Sequence, residues 1–175
     1  MLHNLSKSVK LFFKDPIYEE YIDLWKAFKL PIMRADFIRY LILHYYGGIY
    51  IDLDMYPLKC FDPLLNRSEV FCRWADDSKK LPYNAFMMSE PKNRLFLEIM
   101  EHCKLSYYEK AKNEIYKQWV GRFVFQTTGH YMLQRILKPR GIIPENILKI
   151  NNKKGKIVSA EDPYVEDYNA SIWYQ

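Results

Sequence analysis

The segment that most constrains the fold of this chain is YGGIYIDLDMYP, residues 46–57. The two glycines end the helix that precedes them, because glycine is the usual residue just past a helix C-terminus. Ile49, Tyr50, Ile51 and Leu53 then have the composition of a strand that is buried on both faces. We therefore expect a helix, a tight turn and a buried strand in direct succession.

Two carboxylates, Asp52 and Asp54, lie at the end of this strand. On a strand, side chains two residues apart point to the same face, about 6–7 Å from each other, so Leu53 points the other way into apolar packing. Carboxylates placed together at the end of a buried strand repel each other and lose hydration. A hard divalent cation compensates for both costs and can also bind a diphosphate. The alternative is that the two aspartates cap the next turn or pair with surface lysines.

The helix before the glycines carries a second pair of charges. Asp36 and Arg39 are three residues apart, so they share one helical face. In open α/β sheets, ligands bind beyond the carboxyl ends of the strands, and the acidic pair follows such an end. The alternative is an exposed ion pair between Asp36 and Arg39, which contributes little to stability.

The rest of the chain alternates between helical and strand patterns, which favours an α/β layer fold. A length of 175 residues fits one domain, residues 1–175. Helices are predicted over residues 16–28, 33–46 and 93–112. A fourth helix is predicted to begin with Thr127 or Thr128 as its N-cap and to end at residue 137. Strands are predicted over residues 49–53, 70–74, 85–89, 147–150 and 156–158.

Composition excludes several classes of function. The net charge of +5, without a basic stripe, does not indicate a nucleic-acid partner. The cysteines, Cys60, Cys72 and Cys103, are odd in number and far apart, which disfavours a disulfide framework or a cysteine zinc site and suggests a reducing compartment. No apolar run is long enough for a signal peptide or a membrane span. We therefore expect a cytoplasmic protein without a membrane span.

Residues 35–57 resemble the signature of the DXD glycosyltransferases of the sugar-binding-region family (glycosyltransferase family 32-like). This family includes fungal initiating α-mannosyltransferases, bacterial capsule and lipooligosaccharide transferases, and clostridial glucosylating toxins. Seven positions match at the right spacing: Asp36, Arg39, Gly47, Gly48, Tyr50, Asp52 and Asp54.

Two later stretches are also similar to the family, and a third matches only loosely. Residues 84–91 resemble its strand led by an asparagine near the donor sugar, here Asn84. Residues 169–173 resemble the N-x-S-x-W loop of the toxin branch, where the serine helps to bind the metal and the tryptophan reaches the diphosphate. Residues 126–130 loosely match a Thr-Gly-Pro motif, with His130 in place of the proline.

The resemblance implies a GT-A type (Rossmann-like) fold that binds a nucleotide sugar. It also implies a UDP- or GDP-linked hexose donor, a glycan or other hydroxyl acceptor, Mn²⁺ or Mg²⁺ as cofactor, and transfer with retention of configuration.

The same resemblance implies roles in metal and donor binding for individual residues. Asp54 would be the direct metal ligand, and Asp52 would contact the ribose, the donor sugar and, through water, the metal. Asp36 and Arg39 would hydrogen-bond the donor sugar and the region of the leaving oxygen. The remaining donor-site residues implied are Tyr50, Asn84, Asn169, Ser171 (also at the metal) and Trp173.

The chain departs from the family at its start. Family members open with a strand of the type Ile-Pro-Lys-Ile-Ile-His that helps to bind the base, and nothing in residues 1–14 matches it. We therefore expect a small version of the fold without this first strand. Either the chain is a minimal version of the fold, or part of its base pocket is missing or is supplied by a partner chain or oligomer.

Two other functions stay open on the sequence. One is a catalytically degenerate binding module with the transferase fold, consistent with the unmatched first strand. The other is a different metal-dependent enzyme that acts on phosphates through the same acidic pair. The second alternative requires further clustered carboxylates, or a lysine or histidine base, near Asp52 and Asp54.

Overall fold

A computed structural model describes residues 7–73, 80–113, 119–145, 147–151, 157–158 and 162–168. Asn169, Ser171 and Trp173, which the sequence assigns to the donor site, lie outside these ranges. The described residues form seven α-helices: α1 (Lys7–Phe12), α2 (Pro16–Glu19), α3 (Ile22–Ala27), α4 (Pro31–Tyr46), α5 (Arg94–Lys110), α6 (Val120–Thr127) and α7 (His130–Leu137). Short 3-10 helices span Asp62–Leu64 and Lys138–Arg140.

Local signals explain where some helices begin. The Asp15 carboxylate accepts a hydrogen bond from the backbone N–H of Ile17 and caps α2, with Pro16 in its first turn. The predicted helix over residues 16–28 is wrong as one element, because the chain breaks at Glu20 and Tyr21 into α2 and α3.

The predicted helix cap at Thr127 or Thr128 is also wrong. Thr127 is the last residue of α6 and Thr128 follows it as the C-cap, while Gly129 precedes α7 without a side-chain cap. The Thr128 hydroxyl donates to Asp36 instead of to the start of α7. A tertiary contact has therefore displaced the local cap.

The strands form two sheets. They are β1 (Gly48–Ile51), β2 (Met55–Pro57), β3 (Glu69–Arg73), β4 (Pro82–Ser89), β5 (Leu148–Asn151), β6 (Ile157–Val158) and β7 (Val165–Asp167). The first sheet has the order β1-β4-β3 and is antiparallel. The second has the order β2-β7-β5-β6, and only its β5–β7 pair is parallel.

Strand β1 differs from the expectation in length and in burial. It ends at Ile51 and lies at the edge of its sheet among the described strands. None of its four residues is buried, so it is not a strand buried on both faces. Ile49 is exposed, and Leu53, expected in apolar packing, is fully exposed. The chain leaves the strand at Asp52, where a turn forms through the hydrogen bond from Met55 N–H to the Asp52 carbonyl, at 3.0 Å.

The core lies mainly between the helices and one face of the first sheet. Its largest fully buried side chains include Tyr18, Tyr21, Phe28, Phe37, Tyr40 and Phe96. The apolar stripe predicted on α5 is confirmed as core: Phe96, Ile99, Met100, Cys103 and Tyr107 are all buried. A second, smaller cluster packs between the two sheets. None of the described helices combines the length and apolar character needed to cross a bilayer.

Candidate active site

A tight connection between α4 and β1 brings the two predicted charge pairs together. Gly47 has φ of +67°, and a Cβ added there would lie 2.6 Å from the backbone nitrogen of Pro91. Both the positive φ and this close approach require glycine. The connection folds β1 back beside α4, so that the end of the strand reaches the middle of the helix.

Arg39 is the centre of the resulting cluster and is only 4% exposed. Its Nη1 donates to the backbone carbonyl of Asn84 at 2.8 Å and lies 3.1 Å from Asp52 Oδ1. Its Nη2 lies 3.4 Å from Asp36 Oδ1. Its guanidinium carbon lies 4.6 Å from the centre of the Tyr50 ring. The alternative of an exposed Asp36–Arg39 ion pair is therefore wrong, since both side chains are buried.

Burial and charge pull the pKa values of this cluster in opposite directions. Burial lowers the pKa of Arg39, but the carboxylates of Asp36 and Asp52 outweigh it and raise that pKa above its usual range. Burial raises the pKa of Asp36 to about 6, although Arg39, Thr128 and Asn84 favour its charged form. Burial also raises the pKa of Asp52, against the opposing effect of Arg39. Arg39 is therefore charged at neutral pH.

Asp52 is held by the first sheet. Its backbone N–H donates to the carbonyl of Ala85 at 2.9 Å, and its Oδ1 accepts a 2.6 Å hydrogen bond from the Tyr50 hydroxyl. Oδ1 also faces Arg39, whereas no described residue hydrogen-bonds to Oδ2. Among the described residues, therefore, only one oxygen of this half-buried carboxylate is fixed by a hydrogen bond and an ion pair.

Asp54 is held by the second sheet. Its backbone carbonyl accepts a hydrogen bond from Tyr168 N–H at 3.0 Å, and β2 then pairs with β7, with Met55 opposite Asp167. The D-x-D segment is therefore the turn that joins the two sheets, not the end of one strand. The two carboxylates still interact, because the charge of Asp54 contributes to the raised pKa of Asp52.

The donor set of this turn fits a divalent cation that completes its coordination with ligand oxygens. No group of three or more His, Cys, Asp or Glu residues within the described ranges is arranged to hold a metal. Asp167 is buried and accepts a 3.0 Å hydrogen bond from the Tyr83 hydroxyl, so it does not add a third carboxylate to the pair. One or two carboxylates, with water and substrate phosphates, are the usual ligands of Mg²⁺ in proteins.

Asp36 belongs to a closed ring of hydrogen bonds that includes Tyr40 and Thr128, two residues that the sequence analysis did not assign to the site. The Asn84 amide donates to Asp36 Oδ1 at 2.9 Å and to the Tyr40 hydroxyl at 3.2 Å. The Tyr40 hydroxyl donates to the Thr128 carbonyl at 2.7 Å, and the Thr128 hydroxyl donates to Asp36 Oδ2 at 2.8 Å. The loose Thr-Gly-Pro match at residues 126–130 was the signal available in the sequence.

Residues 3–71 match the family model described as the glycosyltransferase sugar-binding region containing the DXD motif. The resemblance to the DXD glycosyltransferases is confirmed. This match contains Asp36, Arg39, Tyr50, Asp52 and Asp54, the side chains of the cluster that surrounds the D-x-D turn.

Curated relatives of the chain include fungal mannosyltransferases. The chain is 40% identical over 94 residues to a mannosyl phosphorylinositol ceramide synthase of Saccharomyces cerevisiae, an alignment that covers 52% of this chain and 24% of that protein. It is 39% identical over 59 residues to an initiation-specific alpha-1,6-mannosyltransferase of Candida albicans, which covers 32% of this chain and 15% of that protein. The chain thus matches about a quarter or less of the length of these relatives.

The solved structure of the PaToxG glycosyltransferase has a similar fold. The TM-score is 0.51 at 21% sequence identity, and the match covers 77% of this chain and 44% of that one. At this identity the likeness is evidence of fold alone. It confirms the predicted GT-A type α/β fold.

Proposed function

We propose that this chain is a metal-dependent retaining glycosyltransferase that transfers a hexose from a nucleotide sugar to a hydroxyl acceptor. The observation that carries the proposal is the ion-pair cluster in which buried Arg39 joins buried Asp36 to half-buried Asp52 of the D-x-D turn. Buried charges are costly unless they are paired, and a cluster beside an acidic turn is more typical of a ligand site than of a stabilising core.

The charge balance of the cluster supports a metal-bound diphosphate. Asp36, Asp52 and Asp54 provide three carboxylates, and Arg39 provides one guanidinium, which leaves a formal charge of −2 when all are ionised. A diphosphate would be repelled from such a site. A divalent cation held by Asp54, with Asp52, would reverse this repulsion and neutralise the charge that develops on the leaving diphosphate.

The sugar would be bound by the buried end of the cluster. The Asp36 carboxylate provides acceptor oxygens and the Arg39 guanidinium provides N–H donors, so together they offer both kinds of partner that sugar hydroxyls need. Asn84, whose amide donates to Asp36 and to Tyr40, would hold Asp36 in place. Arg39, fixed between Asp36 and Asp52, would orient the sugar and stabilise negative charge on the leaving oxygen. Tyr50 would hold Asp52 in its rotamer through the 2.6 Å hydrogen bond.

The relatives favour mannose as the hexose, since one is named a mannosyl phosphorylinositol ceramide synthase and another an alpha-1,6-mannosyltransferase. We propose a GDP-linked donor first and a UDP-linked donor second. The acceptor would be a glycan hydroxyl or, as in the name of the yeast relative, a phosphorylinositol ceramide. The proposed donor site also includes Asn169, Ser171 and Trp173, and Ser171 would in addition bind the metal. We propose that residues 1–175 form one domain.

Hydrolysis of the donor in the absence of acceptor tests the proposal. The purified chain is incubated with GDP-mannose or UDP-glucose, with Mn²⁺ or with EDTA, and the products are separated by ion-exchange chromatography. Free hexose with the nucleoside diphosphate, formed only with Mn²⁺, supports a glycosyltransferase. Release of inorganic phosphate instead would indicate an enzyme that acts on phosphates. The absence of products with every donor would favour the binding module.

A further inference from the structure

We infer that Thr128 is a positioning residue for the donor sugar, because its hydroxyl fixes the orientation of the Asp36 carboxylate. The inference rests on the proposed function, in which Asp36 binds the sugar. Thr128 is fully buried at the C-cap of α6, so it acts through Asp36 and not by contact with substrate.

The Thr128 hydroxyl has two acceptors within reach and one proton to donate. Its Oγ1 lies 2.8 Å from Asp36 Oδ2 and 3.4 Å from the backbone carbonyl of Val124. The shorter contact leads to a carboxylate, and charge-assisted hydrogen bonds are the stronger kind. The hydroxyl therefore donates to Asp36 and not to its own helix.

The two oxygens of Asp36 are fixed from different parts of the fold. Asn84 on β4 donates to Oδ1, and Thr128 after α6 donates to Oδ2. Tyr40 closes the ring between these two residues. Without the Thr128 hydroxyl, the ring opens and Oδ2 loses its donor, so the plane of the carboxylate is no longer fixed.

The charged form of Asp36 also depends on this hydrogen bond. Burial raises its pKa to about 6, and the Thr128 hydroxyl opposes that rise. The titratable and charged groups that act on Asp36 from the packed elements are Arg39 and Tyr40 on α4, Tyr50 on β1, Asp52 on the turn and Cys103 on α5. Without the hydroxyl, the ionised fraction of Asp36 near neutral pH falls.

Thr127 provides a matched control. It is also fully buried, but its hydroxyl donates to the carbonyl of Phe123 at 2.7 Å within α6 and makes no hydrogen bond to Asp36. Thr127→Val and Thr128→Val remove the same group from adjacent positions of equal burial. Only Thr128→Val removes a donor from Asp36, whereas Thr128→Ser keeps it.

Titration calorimetry with Mn²⁺ tests the inference by comparing GDP-mannose with GDP, and UDP-glucose with UDP. We expect Thr128→Val to weaken binding of the accepted nucleotide sugar about tenfold, the effect of one charge-assisted hydrogen bond, and to leave binding of the nucleoside diphosphate unchanged. Thr128→Ser restores the affinity, and Thr127→Val retains it. The acid limb of the pH profile of donor hydrolysis moves to higher pH in Thr128→Val only.

Several results would overturn the inference. Unchanged affinity of Thr128→Val for the nucleotide sugar would do so, as would equal weakening of the sugar donor and the diphosphate, or failure of Thr128→Ser to restore affinity. If wild-type protein binds neither nucleotide sugar, the proposed function fails together with the inference. If wild type binds one of them and only the Thr128 results differ from those expected, the inference alone fails. Thr128→Ala removes the same hydroxyl without adding a methyl group beside the carboxylate, and it replaces Thr128→Val if that variant does not fold.

Discussion

Arg39 and Asp52 lie 3.1 Å apart, between a buried helix and the turn that joins two sheets. The same guanidinium also binds the carbonyl of Asn84, so one side chain connects α4, β4 and the D-x-D turn. Because Arg39 is buried, its loss would leave the buried charge of Asp36 and the half-buried charge of Asp52 without their cation. The stability of the fold and the geometry of the candidate site therefore depend on the same residue.

Replacement of Arg39 by methionine should destabilise the protein strongly. Methionine fills much of the volume but leaves the buried carboxylate of Asp36 and the half-buried carboxylate of Asp52 without their cation, and breaking a buried ion pair in this way costs about 3–5 kcal/mol. Urea unfolding at pH 7.5 measures the change in free energy. Arg94→Met is the control, because exposed Arg94 makes only a 3.7 Å surface ion pair with Glu98 and should cost less than about 1 kcal/mol. Equal effects of the two substitutions would contradict the central role of Arg39.

Because the pKa of Asp36 is raised, the free energy of unfolding should depend on pH. The carboxyl titrates near 6 in the folded protein against 3.8 ordinarily, so between about pH 4 and 6 the folded state binds more protons than the unfolded state. The contribution of Asp36 to stability is therefore lost as the pH rises through this window, at up to about 1.4 kcal/mol per pH unit.

The comparison with Asp36→Asn isolates this effect from other carboxyl groups. The difference in unfolding free energy, wild type minus Asp36→Asn, should fall between pH 4 and 6 and be constant from pH 7 to 8. Urea titrations at half-unit intervals measure it. A difference that increases with pH across the window would mean that the folded protein lowers the pKa of Asp36, contrary to the burial described above.

Gly47 should tolerate no side chain. Its φ of +67° and the 2.6 Å approach of Pro91 mean that Gly47→Ala adds both backbone strain and a backbone clash. Gly141 also has φ of +67°, but nothing lies within 4 Å of an added Cβ, so Gly141→Ala adds strain alone, about 1–2 kcal/mol. Thermal unfolding should therefore show a clearly larger loss for Gly47→Ala. Similar losses would mean that the α4–β1 connection has room to adjust.

The parts of the site that local sequence determines were predictable. The spacing of Asp36 and Arg39 placed them on one face of a helix, and the glycines marked its end; both features depend on residues close in the chain. The position of Asp54 was not predictable, because the D-x-D turn forms where the chain leaves the first sheet after β1 and enters the second. There β2 pairs with β7, which lies far along the sequence. Thr128 was missed for the same reason, since 92 residues separate it from Asp36.

The burial of β1 was also mispredicted from local composition. Ile49, Tyr50 and Ile51 have the apolar character of a central strand, yet among the described strands β1 pairs only with β4. Composition indicates that a strand is apolar, but the number of its neighbours depends on the whole sheet. Leu53 was assigned to the core only because the strand was predicted to extend past Asp52.

Donor binding should depend on a divalent cation held by Asp54, and this dependence is central to the proposed function. Asp54→Asn removes the charge at nearly constant shape, and Asp23→Asn is the control at an exposed aspartate on α3. Thermal unfolding is followed with GDP-mannose or UDP-glucose, each with Mn²⁺ or with EDTA. A ligand at 100 times its Kd that binds only the folded state adds about 2.7 kcal/mol of stability.

We expect one nucleotide sugar to stabilise wild type and Asp23→Asn in the presence of Mn²⁺, and to leave Asp54→Asn unchanged. Equal stabilisation of Asp54→Asn, or stabilisation of wild type that persists in EDTA, would contradict a metal-dependent donor site at Asp54.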